Sequence, residues 1–115
     1  MPTVTFKQFD VVRVPFPFSD KDTSKNRPAV VLSNELSFNA PAGHSVMAMI
    51  TSAGNPDWPL DCPIASLESA GLPKPSKVRF KLFTLDHQLV RGVLGQLAPS
   101  DAKRVQEALT TLLNP

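Results

Sequence analysis

Val11 to Ser33 reads VVRVPFPFSDKDTSKNRPAVVLS, an apolar strand, a polar loop and a second apolar strand. Val12, Val14, Phe16 and Phe18 alternate, which predicts that all four point to one face of the first strand. Pro15 and Pro17 fall on the opposite parity. Proline has no N–H for a sheet ladder, so this end should lie at an edge or run out of the sheet. The loop SDKDTSKN has no apolar residue to bury and should ride over the surface. Arg27 precedes Pro28, and a residue before proline is pushed into extended conformations. This places Arg27 at a stiffened loop-to-strand junction, where its planar cation can be aimed, and such a cation suits a phosphate.

The rest of the chain reads as further short strands. With 115 residues it is expected to form one domain with one core. Twelve prolines and five glycines favour short strands and turns over long helices. Asn34–Gly43 reads as a connection with one helical turn. Ser45–Ser52 is a buried strand by its apolar run. The loop AGNPDWPLD follows, with Trp58 near its middle, and Cys62–Ala65 can form a short strand. Ser66 is a candidate N-cap for a turn over LESA, stopped by Gly71. In Ser76–Asp86, Val78, Phe80 and Leu82 face one way and Lys77, Arg79 and Lys81 the other, which predicts a half-buried strand with a basic outer face. Val90–Leu97 is another short strand. One long helix follows, with Ser100 as N-cap, Asp101 in the first turn and a core stripe of Ala102, Val105, Leu109, Leu112 and Leu113. Strands with one closing helix suggest a small curled barrel, and several all-β topologies fit that description.

Net charge is only +2, so its distribution carries more information. Between Ser69 and Leu85 the charged residues are Lys74, Lys77, Arg79 and Lys81, with no acid. Such a patch suits a phosphate-bearing partner, and it equally suits a strand edge guarded by lysine. The lone Cys62 excludes an internal disulfide and fits a reducing cytosol. The N-terminus has no apolar signal region, and the longest aliphatic run, Val46–Ile50, is far short of a bilayer span. The expectation is a soluble cytoplasmic protein. His44 and His87 lie far apart, no residues show metal-ligand spacing, and the only paired carboxylates are Asp20 and Asp22. A two-metal nuclease is therefore not expected, and neither is a cofactor.

Lys25–Ser33, KNRPAVVLS, resembles the MazF/PemK family of bacterial toxins, the ribonuclease halves of toxin–antitoxin pairs. Further features follow in family order. They are Thr51 and Ser52 closing MITS, Gly71-Leu72 with Ser76, Thr84-Leu85, and Leu94-Gly95-Gln96-Leu97. Together they span about residues 10–110. The Ser19–Asn26 loop and the segment around Trp58 depart from the pattern. The resemblance implies an SH3-like barrel with a C-terminal α-helix, as in MazF and CcdB. It implies a sequence-specific, metal-independent endoribonuclease acting on single-stranded RNA. The substrate's 2′-OH attacks, leaving a 2′,3′-cyclic phosphate and a 5′-OH. It singles out Arg27 and Thr51 as the catalytic pair. The RNA contacts expected around them are Lys25, Asn26 and Ser52, with the basic face of Lys77, Arg79 and Lys81. Without it, Arg27 reads better as a salt-bridge cation, and Thr51 can be an ordinary strand residue. Arginine stays protonated, so the base must lie elsewhere, with Asp22 and His44 as the nameable candidates. The implied partners are a second copy in a homodimer and a cognate antitoxin with a disordered acidic segment. The alternative is a non-catalytic, CcdB-like gyrase poison, which lacks the KNRP and Thr51 pair.

Overall fold

The computed structural model describes residues 4–16 and 25–114. Its strands are β1 (Asp10–Phe16), β2 (Lys25–Val31), β3 (His44–Ser52), β4 (Cys62–Pro63), β5 (Ser76–Asp86) and β6 (Gly92–Gln96). They form one antiparallel sheet in the order β4-β5-β3-β2-β1-β6. Short helices α1 (Ala40–Ala42) and α2 (Leu67–Ala70) interrupt the strands, and α3 (Pro99–Leu113) closes the described chain. The sheet curls into a half-barrel, as expected of the SH3-like reading. Register shifts at Val11/Val12 against β6 and at Ala48/Met49 against β5 supply part of the bend, because extra residues on one strand force it to turn.

Curling gives the central strands two buried faces. Val11, Val30, Ala48, Ile50, Val78 and Phe80 pack on one side with Val105 of α3. Val12, Val14, Ala29, Val31, Met47 and Leu85 pack on the other with Phe6. Hence VVRV and AVVL read as near-continuous apolar runs. Val12 and Val14 do share a face, but Phe16 is 46% exposed and departs from the expectation. β6 pairs with β1 only from Asp10 to Arg13, so β1 has already run past its neighbour there. The same limit accommodates Pro15 at a locally unpaired edge, as expected. Pro17 and Phe18 lie outside the described residues.

The glycines of two matched blocks have a steric reason. Gly71 ends α2 at φ +73°, and a Cβ there would run into the Leu94 carbonyl. A Cβ on Gly95 would run into the Ser69 carbonyl. The two backbones touch, so GL and LG depend on each other.

The caps differ from expectation. The helix α3 starts at Pro99 behind Ala98, and Ser100 lies inside its first turn. Proline suits that first position because its missing N–H has no helical acceptor to serve. Ser66 makes no side-chain cap. Asp101 turns inward instead. Its carboxylate accepts from the N–H groups of Ala65 (3.0 Å) and Ser66 (2.9 Å) and pairs with Arg104. Ala102, Val105 and Leu109 pack on the core. Leu112 and Leu113 are 41% and 63% exposed, because the last turn of α3 carries them away from that core.

Candidate active site

The antiparallel order sets the start of β2, the end of β3 and the start of β5 side by side. The β2–β3 register pairs Ala29 with Met49. Continued by two places, it puts Arg27 opposite Thr51. The β3–β5 register pairs Thr51 with Lys77. Arg27, Thr51 and Lys77 thus form one row across three strands. Arg27 and Thr51 together line two adjoining depressions. One also holds Phe16, Met49, Arg79 and Lys81, and the other holds Pro28, Ser52 and Lys74.

Arg27 lies in β2 proper, not at its junction with the loop, and its side chain is exposed. Among the described residues it pairs with no carboxylate. The Thr51 hydroxyl accepts from Asn55 Nδ2 at 2.6 Å, which leaves its own proton to donate. Asn55 is held in turn, since its N–H donates to the Ser52 carbonyl and its carbonyl accepts from Lys77 Nζ at 2.8 Å. Lys25 and Ser52 are exposed beside the pair. Asn26 accepts from Arg91 at 2.8 Å, which ties the start of β2 to the approach to β6.

The basic face of β5 is not the open patch expected from sequence. Lys77 is only 3% exposed, and its Nζ lies 3.2 Å from Asp57 and 3.3 Å from Asp61. Arg79 binds Asp61 at 2.9 Å and the Pro56 carbonyl at 2.6 Å. Burial pushes the Asp61 carboxyl up, but hydrogen bonds from Arg79, the Trp58 N–H and Lys77 outweigh it and hold the carboxyl below its ordinary range. The hydrogen bond to Asp61 likewise raises Arg79. Lys81 is exposed, with its ammonium 4.9 Å from the Trp58 ring centre. Lys77 is therefore an internal brace, Arg79 is largely engaged, and Lys81 is the member of the trio open to a phosphate.

His44 stands at the opposite end of β3 from Thr51, with its Nε2 4.0 Å from Asp86. This separation removes it as a base for that pair. Asp22 lies outside the described residues. A further depression lies at the His44 end, beside Val4, Asp86 and His87. His87 there spends one ring nitrogen on Ser45 Oγ (2.7 Å) and the other on the Val4 carbonyl (2.9 Å). Among the described residues no group of three or more His, Cys, Asp or Glu side chains could hold a metal ion. No helix among them is long and apolar enough to cross a membrane. Asn55, Asp57 and Asp61 went unmarked in the sequence because nothing in a polar loop says which strand it folds against.

Among proteins of curated function none matches the chain. Solved structures do. A MazE-MazF complex from Deinococcus radiodurans is 18% identical with a TM-score of 0.75, and the match covers 96% of this chain and 98% of that one. MazF from the same organism is 21% identical with a TM-score of 0.73, covering 97% and 99%. An endoribonuclease in complex with its cognate antitoxin from a mycobacterial species is 18% identical with a TM-score of 0.72, covering 99% and 96%. At such identities these show the fold, the same curled sheet with a C-terminal helix. The sequence itself matches the PemK-like, MazF-like toxin of type II toxin-antitoxin system over residues 7–113. The chain belongs to that toxin family.

Proposed function

We propose that this toxin is a sequence-specific endoribonuclease that cuts single-stranded RNA without a metal ion, using the substrate's own 2′-OH as nucleophile. The observation that carries the reading is the row of Arg27 and Thr51, one exposed cation and one hydroxyl with a proton to give, shared by two depressions. RNA brings its nucleophile, so the protein must align it and stabilise the charge that grows on phosphorus. Arg27 presents parallel N–H groups to the non-bridging oxygens. Thr51 donates one further hydrogen bond. Lys25, Asn26, Ser52 and Lys81 border the groove and hold the flanking strand, while Lys77 acts from beneath through Asn55. The products are a 2′,3′-cyclic phosphate and a 5′-OH.

One domain, acting in the cytoplasm as a homodimer, completes the reading, with a cognate antitoxin as inhibitor. An endoribonuclease of this fold with its antitoxin supports that partner. A disordered acidic segment suits it, since carboxylates compete with phosphates for the same cations. The deciding experiment is incubation with single-stranded RNA in EDTA, followed by analysis of product ends. Cyclic phosphate ends are expected. Loss of cleavage in EDTA, or 3′-OH ends, would overturn the mechanism.

A further inference from the structure

We infer that Trp58 is a stacking platform for a nucleobase next to the scissile phosphate, and so a determinant of which RNA sequence is cut. The inference rests on the RNA-cleaving reading above. Trp58 is 44% exposed, on the loop between β3 and β4. A large aromatic ring in a polar loop has no core to fill, yet the main chain that carries this one is pinned. The backbone N–H of Trp58 donates to Asp61 Oδ2 at 2.9 Å, and its backbone carbonyl accepts from the Asp61 N–H at 3.1 Å. Trp58-Pro59-Leu60-Asp61 is thus a closed turn, with proline at the second position and Leu60 at φ +66° in the third. A leucine in a conformation that favours glycine costs stability, and such strain persists where surrounding contacts enforce it. Here Asp61 enforces it through Arg79 and Lys77.

The ring lies against the cations of β5. Arg79 is 5.7 Å and Lys81 4.9 Å from its centre. Both come from one strand, and the ring keeps 44% of its surface exposed beside them. The same Arg79 and Lys81 line the depression that contains Arg27 and Thr51. A strand with its phosphate at Arg27 therefore carries a neighbouring base towards the exposed part of the Trp58 ring. Base-on-aromatic stacking is how single strands are gripped and read.

The chain has one tryptophan and no tyrosine, so its intrinsic fluorescence reports on this ring alone. The test uses fully 2′-O-methylated decamers of each base, which cannot be cut by 2′-OH attack, and an abasic backbone of equal length. A base-bearing decamer should quench Trp58 and bind about tenfold tighter than the abasic strand. Anisotropy should show that preference fall below about twofold in Trp58→Ala and partly return in Trp58→Phe, with circular dichroism unchanged. For cut RNA, Trp58→Ala should raise KM more than it lowers kcat. Saturable binding without quenching, or an undiminished preference for bases in folded Trp58→Ala, would overturn the platform. RNA cleavage with either result leaves the nuclease standing and removes only the platform. Quenching by decamers without cleavage of any RNA would overturn the nuclease reading, and with it the placement beside a scissile phosphate, leaving Trp58 as a base-stacking site alone.

Discussion

The two ends of β3 carry similar side chains in opposite states. At one end Ser45 is fully buried and bonded to His87, which is itself bonded to the Val4 carbonyl. A carbonyl only accepts, so Nδ1 donates to it, and both ring nitrogens are engaged. Every partner is used. At the other end the Thr51 hydroxyl accepts from Asn55 and, among the described residues, spends its proton on no acceptor, beside an exposed arginine. Hydroxyl plus ionisable group is therefore not a site in itself. The chemistry available depends on which hydrogen-bonding capacity the fold leaves unfilled.

The comparison breaks first at Arg27. Arg27→Ala should slow RNA cleavage by about 100-fold or more in single-turnover assays, as loss of a charge-stabilising donor does. Its urea midpoint should stay at the wild-type value, because the side chain is exposed. Arg27→Lys should recover part of the rate, since an ammonium lacks the planar fork. Unchanged cleavage in Arg27→Ala would end the assignment. The opposite dissociation is expected at the buried end. His87→Ala leaves the Ser45 hydroxyl and the Val4 carbonyl without their partner, which should cost about 1–3 kcal/mol in urea unfolding. Cleavage per folded molecule should not change. A rate loss in folded His87→Ala would mean that the two ends are coupled.

Between these extremes lies Asn55, which touches Thr51 directly. Asn55→Ala should reduce kcat by a few fold, the worth of about 1 kcal/mol for one hydrogen bond, and leave RNA affinity nearly intact. An equal fall in affinity would make Asn55 an RNA contact instead of a brace.

The legible parts of this molecule are those set by local pattern. VVRV, AVVL and the alternation of β5 announce strands, and KNRP with MITS marks Arg27 and Thr51 as partners before the register does. The Gly71 and Gly95 blocks read as family features, with their steric cause visible only once α2 meets β6. Other features depend on distant chain. The acid-free window around Lys77 is true of the sequence and false in space, because Asp57 and Asp61 fold back from the preceding loop. Ser66 and Ser100 have the right residue type for caps, but Asp101 reaches two of the amides from another element. Phe16 keeps the parity of Val12 and Val14 and is exposed all the same, because β6 stops short of it.

The finest discrimination concerns two carboxylates on one lysine. Asp57 and Asp61 both lie within ion-pair distance of Lys77, yet the Asp57 side chain is 101% exposed and that of Asp61 is 8% exposed. Exposed pairs are screened by water and lose entropy when ordered, so they add little. Asp61 is different, with Arg79, Lys77 and a backbone N–H all favouring its charged form over the burial that opposes it. A carboxyl whose folded pKa lies below its unfolded value contributes stability above the unfolded pKa of about 3.9. That contribution is lost as pH falls through the lower, folded value, because below both values the proton is bound in either state. Stability measured in urea should therefore drop as the solution is acidified below about pH 4. Asp57→Asn should leave this acid slope unchanged, whereas Asp61→Asn should flatten part of it. A carboxyl-detected NMR titration should place Asp61 below the ordinary aspartate range. An ordinary Asp61 pKa there, with an acid slope indifferent to Asp61→Asn, would mean that the loop under Trp58 is not braced by this carboxylate.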